Sequence, residues 1–209
     1  MIDYFSEGIS LLGLSLSESQ RSHFQYLFDQ LIKWNHAYNL TAIRTKKDIE
    51  VKHFLDSLAV WPYLTGNDVM DVGTGAGFPG LPLSILFPEK NFILLDSNAK
   101  KTRFIRHVVA ELKLGNVQVY NERVEACSLE QSPDCIISRA LSNLNDVILK
   151  TNHLVSEKTR YLFMKGHWPE AGFQALEGSF RFDAIERLKV PFLDEVRHLL
   201  IVSKAVNTV

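Results

Sequence analysis

This sequence is short of cysteine, of net charge and of long apolar runs. Its 209 residues include only two cysteines, Cys127 and Cys135. They lie outside any CxxC or Cys/His ligand spacing, which argues against a disulfide scaffold and against a metal site. Cys135 falls in the apolar run DCIIS and reads as a small buried hydrophobe. A catalytic thiolate of the kind that methylates pyrimidine carbons would need a cationic neighbour and exposure, which a strand does not offer. No apolar run approaches the roughly 20 residues that span a bilayer, so no membrane partner is expected. The opening MIDYFSEGIS has neither a basic nor an apolar leader segment, and the expected location is cytoplasmic. Lys and Arg total 23 against 24 Asp and Glu, a net charge of −1. The broad basic excess of a free-standing nucleic-acid binder is missing, so any basic footprint must be local. What is present is an ordinary globular composition, 46% apolar and 22% charged. The length suits one α/β domain with an extension, not two enzymes.

The first 65 or so residues read as helical. Ser17 and Gln20 have capping-box spacing, and Phe24, Leu27, Phe28 and Leu31 then line one face. The stretch NHAYNLTAI (Asn35 to Ile43) interrupts that period. A second helix is expected from about Asp48 to Val60, with Ile49, Phe54, Leu55 and Leu58 inward and Pro62 and Gly66 beyond its end. From Asn67 the texture changes to short apolar runs separated by helical segments. Strands are expected at Val69 to Val72, Phe92 to Leu95, Val117 to Tyr120, Asp134 to Ser138 and Tyr161 to Met164, which argues for βαβ units and a parallel sheet. Ile185 to Val190 and His198 to Val202 leave no room for a crossover helix and should form an antiparallel hairpin at one sheet edge. The expected fold is α/β: a Rossmann-like core over residues 66–209, mostly parallel with a C-terminal antiparallel hairpin, under an N-terminal helical cap over residues 1–65.

The strongest motif is DVGTGAGFPG (Asp71 to Gly80), between an expected strand and a helix beginning near Pro79. Gly73, Gly75 and Gly77 permit positive φ and a close ligand approach. Asp96 follows the apolar run FILL, where a carboxylate can accept hydrogen bonds from ribose hydroxyls. Loop and acid together imply a nucleoside ligand at the carboxyl ends of the strands. Gly75-x-Gly77-x-x-Gly80 also fits a dinucleotide fingerprint. Asp71 at the strand end would repel a pyrophosphate, however, and would favour a ligand that is cationic at its reactive end. The antiparallel hairpin also departs from an all-parallel dinucleotide sheet. An S-adenosylmethionine-dependent methyltransferase is therefore favoured over an NAD(P)-dependent oxidoreductase.

DVGTGAGFPG, LLDSNAKK (Leu94 to Lys101), RVEA (Arg123 to Ala126), ISRAL (Ile137 to Leu141), MKG (Met164 to Gly166) and RHLLIV, with YNLTAI (Tyr38 to Ile43) and HFLDSL (His53 to Leu58) in the cap, resemble the 16S rRNA guanine-N7 methyltransferase G family, also called RsmG or GidB. The resemblance covers nearly the whole chain. It implies a class I methyltransferase that uses S-adenosyl-L-methionine to methylate N7 of guanine 527 in the 530 loop of 16S rRNA. Carried over by position, it places Gly73, Phe78, Asp96, Ser97, Asn98, Val124, Glu125 and Arg139 at the cofactor. Asp96, Ser97 and Asn98 would hold its ribose and adenine edge, and Val124 and Glu125 would flank the adenine.

Guanine N7 has a free lone pair and no proton, so in-line attack on a sulfonium methyl needs positioning and water exclusion but no general base. The SRAL sequence stands where exocyclic-amine methyltransferases carry [D/N]-P-P-[Y/F]. Arg139 and Lys165 are the catalytic candidates. Arg139 is expected at the guanine face or a phosphate, with a structural anchor as the alternative, and Arg139→Ala is expected to lower transfer far more than stability. Lys100, Arg103, Arg106 and His107 share one face of a helix expected over Ala99 to Leu112. That face is either an ordinary solvated surface or a phosphate-contacting ridge, joined by Lys46, Lys47, Lys52, Lys165 and His167. His53 and Asp56, at i, i+3, read first as a structural pair, and no metal is assigned. Tyr38 and Asn39 either help bind guanine or pack the cap. The expected partner is 16S rRNA, in the small ribosomal subunit, with the enzyme a monomer. The residues by themselves also fit a small-molecule methyltransferase with the cap as a lid, or a non-catalytic cofactor-binding assembly factor.

Overall fold

The computed structural model describes residues 3–139, 144–166 and 179–205. The cap opens with α1 (Asp3–Leu11) and α2 (Glu18–Tyr38). Ser17 Oγ accepts from Gln20 N at 3.2 Å while Gln20 Oε1 accepts from Ser17 N at 2.9 Å, closing the expected capping box. The Gln20 amide also donates to the Ile85 and Leu86 carbonyls, which ties the start of the cap to the core. Phe24, Leu27, Phe28 and Leu31 are buried on one face, as their spacing requires. The helix runs past the expected break to Tyr38, because Asn35 belongs to the buried face. Its Oδ1 accepts from Thr41 N at 2.9 Å, so the polar residue that interrupts the apolar period fixes the following turn. Asn39 ends α2 in the left-handed region (φ 51°).

The second cap rod begins at Lys46, slightly earlier than expected, because Thr45 Oγ1 accepts from Asp48 N and caps it. It comprises α3 (Lys46–Asp48), a π-wound segment (Ile49–Leu55) and α4 (Asp56–Leu58). Ile49, Phe54, Leu55 and Leu58 all point inward. A 3₁₀ turn (Trp61–Tyr63) then leads into the core.

The core strands are β1 (Asp68–Val72), β2 (Asn91–Leu95), β3 (Val117–Tyr120), β4 (Cys135–Arg139), β5 (Arg160–Lys165), β6 (Phe180–Leu188) and β7 (Arg197–Lys204). They form one sheet in the order β3-β2-β1-β4-β5-β7-β6. The first five are parallel, and β7 lies antiparallel between β5 and β6. Helices α5 (Gly80–Leu86), α6 (Ala99–Glu111) and α7 (Leu144–Thr151) follow β1, β2 and β4. Strand parity sorts the core into two layers. Val69, Phe92, Leu94, Ile137 and Leu162 join α5, α6 and the cap in one cluster, while Met70, Val72, Ile136, Tyr161 and Phe163 pack with α7 in the other. Cap and core residues share that first cluster, with Phe5, Phe24 and Phe54 beside Phe78, Leu81 and Phe104.

Because successive strands run outward in both directions from β1 and β4, the crevice at their carboxyl ends is the topological switch point. From the cap, Leu40, Thr41 and His53 reach the crevice at that end.

Candidate active site

Parity decides where Asp71 goes. It shares the face of Val69, so its carboxylate lies under the glycine loop and is fully buried. This corrects the expectation that it meets a cationic ligand. Its Oδ2 accepts from Thr74 Oγ1 at 2.6 Å and from Gly80 N at 2.8 Å, stapling the loop to the start of α5. Burial pushes its pKa up to about 6 against the opposing pull of those two bonds. Gly80 is needed for this approach, since a Cβ there would run into Leu94 and stand 2.9 Å from Asp71 Oδ2.

Gly75 is glycine for a different reason. It sits at φ +63°, and a Cβ on it would meet only Lys101 Nζ, 3.9 Å away. The space above it belongs to a cavity of about 570 Å³, within the range of small-molecule sites. Gly73, Phe78, Asp96, Ser97, Val124, Glu125 and Arg139 all line this cavity. Asp96 holds its rim in shape, with Oδ2 accepting from Gly75 N at 2.9 Å and Oδ1 from Asn98 N at 2.8 Å. Asn98 is not in the wall. Its Oδ1 caps α6 by accepting from Lys100 N and Lys101 N. Lys165, at the carboxyl end of β5, is also outside the wall, and burial lowers its pKa. His167, Ala140 and Leu141 lie outside the described residues.

Arg139 ends β4 and is gripped by the cap. Its Nη1 donates to the Lys52 carbonyl at 3.0 Å, within the π-wound segment, and to Asp56 Oδ2 at 3.1 Å. Its Nη2 meets His53 Nδ1 at 3.2 Å. A guanidinium has only donors, so Nδ1 must accept and the His53 proton sits on Nε2, which donates to Thr41 Oγ1 at 2.9 Å. His53 also stacks on Phe78, with centroids 4.4 Å apart. Burial first, and the Arg139 charge second, push its pKa down to about 3, so the ring is neutral. Asp56 serves a second cation: Arg197 Nε from β7 lies 3.3 Å from Oδ1, in ion-pair range but without hydrogen-bond alignment. His53 and Asp56 therefore face the same way, as their spacing suggests, but toward Arg139. Sequence reasoning missed Thr41 and Arg197 in this cluster. The motifs YNLTAI and RHLLIV contain them, but nothing in either names its partner.

The expected basic ridge is only partly available. His107 faces the cap, 3.2 Å from Gln30 Oε1, and Arg106 donates to the Val119 carbonyl. Lys52 pairs with Glu195 and Asp48, and Lys47 lies over the Tyr4 ring. Lys100 and Arg103 remain exposed. Among the described residues, no group of three or more His, Cys, Asp or Glu side chains could hold a metal ion, and no helix is long and apolar enough to cross a membrane.

Residues 20–200 match the family described as rRNA small subunit methyltransferase G. A relative from Ectopseudomonas mendocina (strain ymp), named ribosomal RNA small subunit methyltransferase G, is 48% identical across 96% of this chain and 94% of its own. A relative of the same name from Salmonella arizonae is 42% identical across 97% and 98%. Two solved structures share the fold. Magnesium protoporphyrin IX methyltransferase from Synechocystis PCC 6803, with bound S-adenosylmethionine, is 16% identical with a TM-score of 0.58 over 91% of this chain and 99% of its own. The ribosomal protein L11 methylase from Lactobacillus delbrueckii subsp. bulgaricus is 19% identical with a TM-score of 0.56 over 78% and 81%.

Proposed function

The chain belongs to the rRNA small subunit methyltransferase G family, and on that footing we propose that it transfers the methyl group of S-adenosylmethionine to N7 of guanine 527 in the 530 loop of 16S rRNA. The observation that carries this reading is the cavity over Gly75 at the switch point. Its open space above the turn and its rim carboxylate suit a nucleoside ligand. When bound, S-adenosylmethionine supplies an electrophilic methyl on a positively charged sulfur. Asp96 keeps lone pairs for the ribose hydroxyls after accepting its two backbone N–H groups, and Val124 and Glu125 wall the adenine end.

Phe78, Arg139, His53 and Thr41 line another part of the cavity. There, the His53 Nδ1 lone pair is occupied by Arg139, and its low basicity bars it from taking a proton. A histidine held neutral and engaged in this way orients its neighbours without taking a proton, which suits N7, whose lone pair attacks with nothing to remove. Arg139 positions this wall and faces the reacting guanine. Residues 1–65 act as a cap that excludes water from it, and the enzyme works as a cytoplasmic monomer. With so little net charge, it recognises its guanine in the assembled small subunit, whose folded surface supplies part of the specificity.

The test is transfer from labelled S-adenosylmethionine to unmethylated small subunits and to protein-free 16S RNA, with cleavage chemistry specific for 7-methylguanine. One modified guanine, with subunits the better substrate, is the expected result. Cofactor binding with no transfer to either substrate would overturn the RNA reading and restore the small-molecule one.

A further inference from the structure

The aromatic contacts between cap and core form a series. His107 of α6 lies against Trp34 of α2, centroids 5.2 Å apart, and Trp34 lies against Tyr38 at 5.2 Å. Both pairs are tilted by less than 40°, and the last ring is 42% exposed. The direction of the seam follows from its contacts. His107 meets Tyr26, Gln30 and Trp34, while Phe104 meets Trp34. The two helices therefore run antiparallel, and Tyr38, one turn past Trp34, faces the first turn of α6. That turn carries Lys100 and Lys101, with Arg103 one turn on, and the helix has no acid before Glu111. Among the described residues no carboxylate pairs with Lys100, Lys101 or Arg103. Lys101 lines the cavity, and so do Leu40 and Thr41, two and three residues beyond Tyr38. The strip thus ends at the cavity lip, within about 10 Å of chain.

We propose that this strip is the track for the single-stranded RNA next to the target guanine: a flanking base stacks on Tyr38, and neighbouring phosphates are held by Lys100 and Arg103. The proposal rests on the reading that the substrate is RNA. A half-exposed ring ending an aromatic series, beside cations that no described carboxylate pairs, offers what an unpaired strand needs, a π-face and backbone charge. Splaying the guanine into the cavity unstacks its neighbour, and Tyr38 gives that neighbour a surface.

The experiment compares Tyr38→Ala, Tyr38→Phe, Tyr38→Trp and the double variant Lys100→Ala/Arg103→Ala with wild type. Affinity is measured for unmethylated subunits and for protein-free 16S RNA across a salt series, and for S-adenosylmethionine by calorimetry. Tyr38→Ala should weaken RNA binding roughly 5- to 150-fold, with Phe and Trp holding within about twofold of wild type. The double variant should reduce the salt slope by about 1.4, at roughly 0.7 per single-stranded phosphate. Cofactor affinity should not move. Wild-type binding by Tyr38→Ala would overturn the proposal. So would a Phe variant as weak as Ala, cofactor affinity falling in step, or a loss on subunits but not on bare RNA, which would point to a ribosomal protein. If the wild-type protein binds cofactor but neither RNA substrate, the RNA reading itself fails and takes this one with it.

Discussion

Replacing Arg139 with alanine tests two roles at once, because the side chain belongs to both the cavity wall and the cap. The arginine and Asp56 side chains are 17% and 5% exposed. Breaking a buried pair of this kind costs about 3–5 kcal/mol when the remaining charge is left uncompensated. Here Asp56 keeps Arg197 at 3.3 Å, which places the loss near the lower end, about 3 kcal/mol. The Lys52 carbonyl and His53 Nδ1 also lose their donor. For a protein of this size each kcal/mol moves the melting temperature by roughly 2–4 °C. Arg139→Ala should therefore lower Tm by about 6–12 °C, measured by scanning calorimetry with and without S-adenosylmethionine, and should also abolish methyl transfer. The sequence alone suggests an effect on transfer far larger than on stability; the clamp predicts substantial losses in both. A Tm within about 2 °C of wild type would show that the clamp contributes little to the fold and that Arg139 serves the reaction alone.

Asp71 has a folded pKa raised to about 6, so the folded state takes up its proton first. Its contribution to stability grows as pH falls through about 6 and levels off near the unfolded value, at most about 3 kcal/mol at 1.36 kcal/mol per unit. The Tm difference between wild type and Asp71→Asn should widen in favour of wild type from pH 7 to 5; a constant difference refutes this. His53 has the opposite sign: with its folded pKa pushed down to about 3, the stability it contributes when neutral is lost as pH falls from about 6.5 toward 3. Its imidazole NMR signals should not titrate between pH 8 and 5, and a midpoint near 6.5 would contradict the clamp. Burial pushes the Cys127 thiol up to about 11 and the Cys135 thiol up to about 12. A thiol reagent at pH 8 should label neither in the native protein and both in denaturant. Gly75→Val should cost about 1–2 kcal/mol of stability through its positive φ. It should weaken cofactor binding by more than about tenfold, and unchanged affinity would move the ligand away from the turn.

The parts of this structure that are legible in the sequence are those whose signal is local. Strand parity at Val69 to Val72 and Phe92 to Leu95, the glycines before α5 and the acid at Asp96 each lie within a few residues of what they determine. Asp71 shows what neglect of parity costs: its place at the strand end suggests a carboxylate facing the ligand, but its register with Val69 turns it under the loop. Asn35 misleads differently. A polar residue in a buried helical position looks like a helix end until its partner, Thr41 N, is known. The π-wound segment has no signature, since its residues would serve equally well in an α-helix. The Arg139 clamp joins positions 53, 56, 139 and 197, and no spacing rule reaches across such separations.

Net charge is a coarse quantity, because a total does not reveal pairing. A value of −1 gives no support to an RNA substrate when read as a sum. In the folded chain, Lys47, Lys52, Arg139 and Arg197 are engaged with an aromatic ring or with carboxylates in and around the cap. Among the described residues, the cations at the start of α6 meet no carboxylate and stand beside the cavity. A few such cations give a shallow salt dependence and little non-specific affinity. Attraction of that size makes the electrostatic search of bare RNA a weak one. The comparison of subunits with protein-free RNA therefore tests how much of the selectivity comes from the shape of a folded substrate.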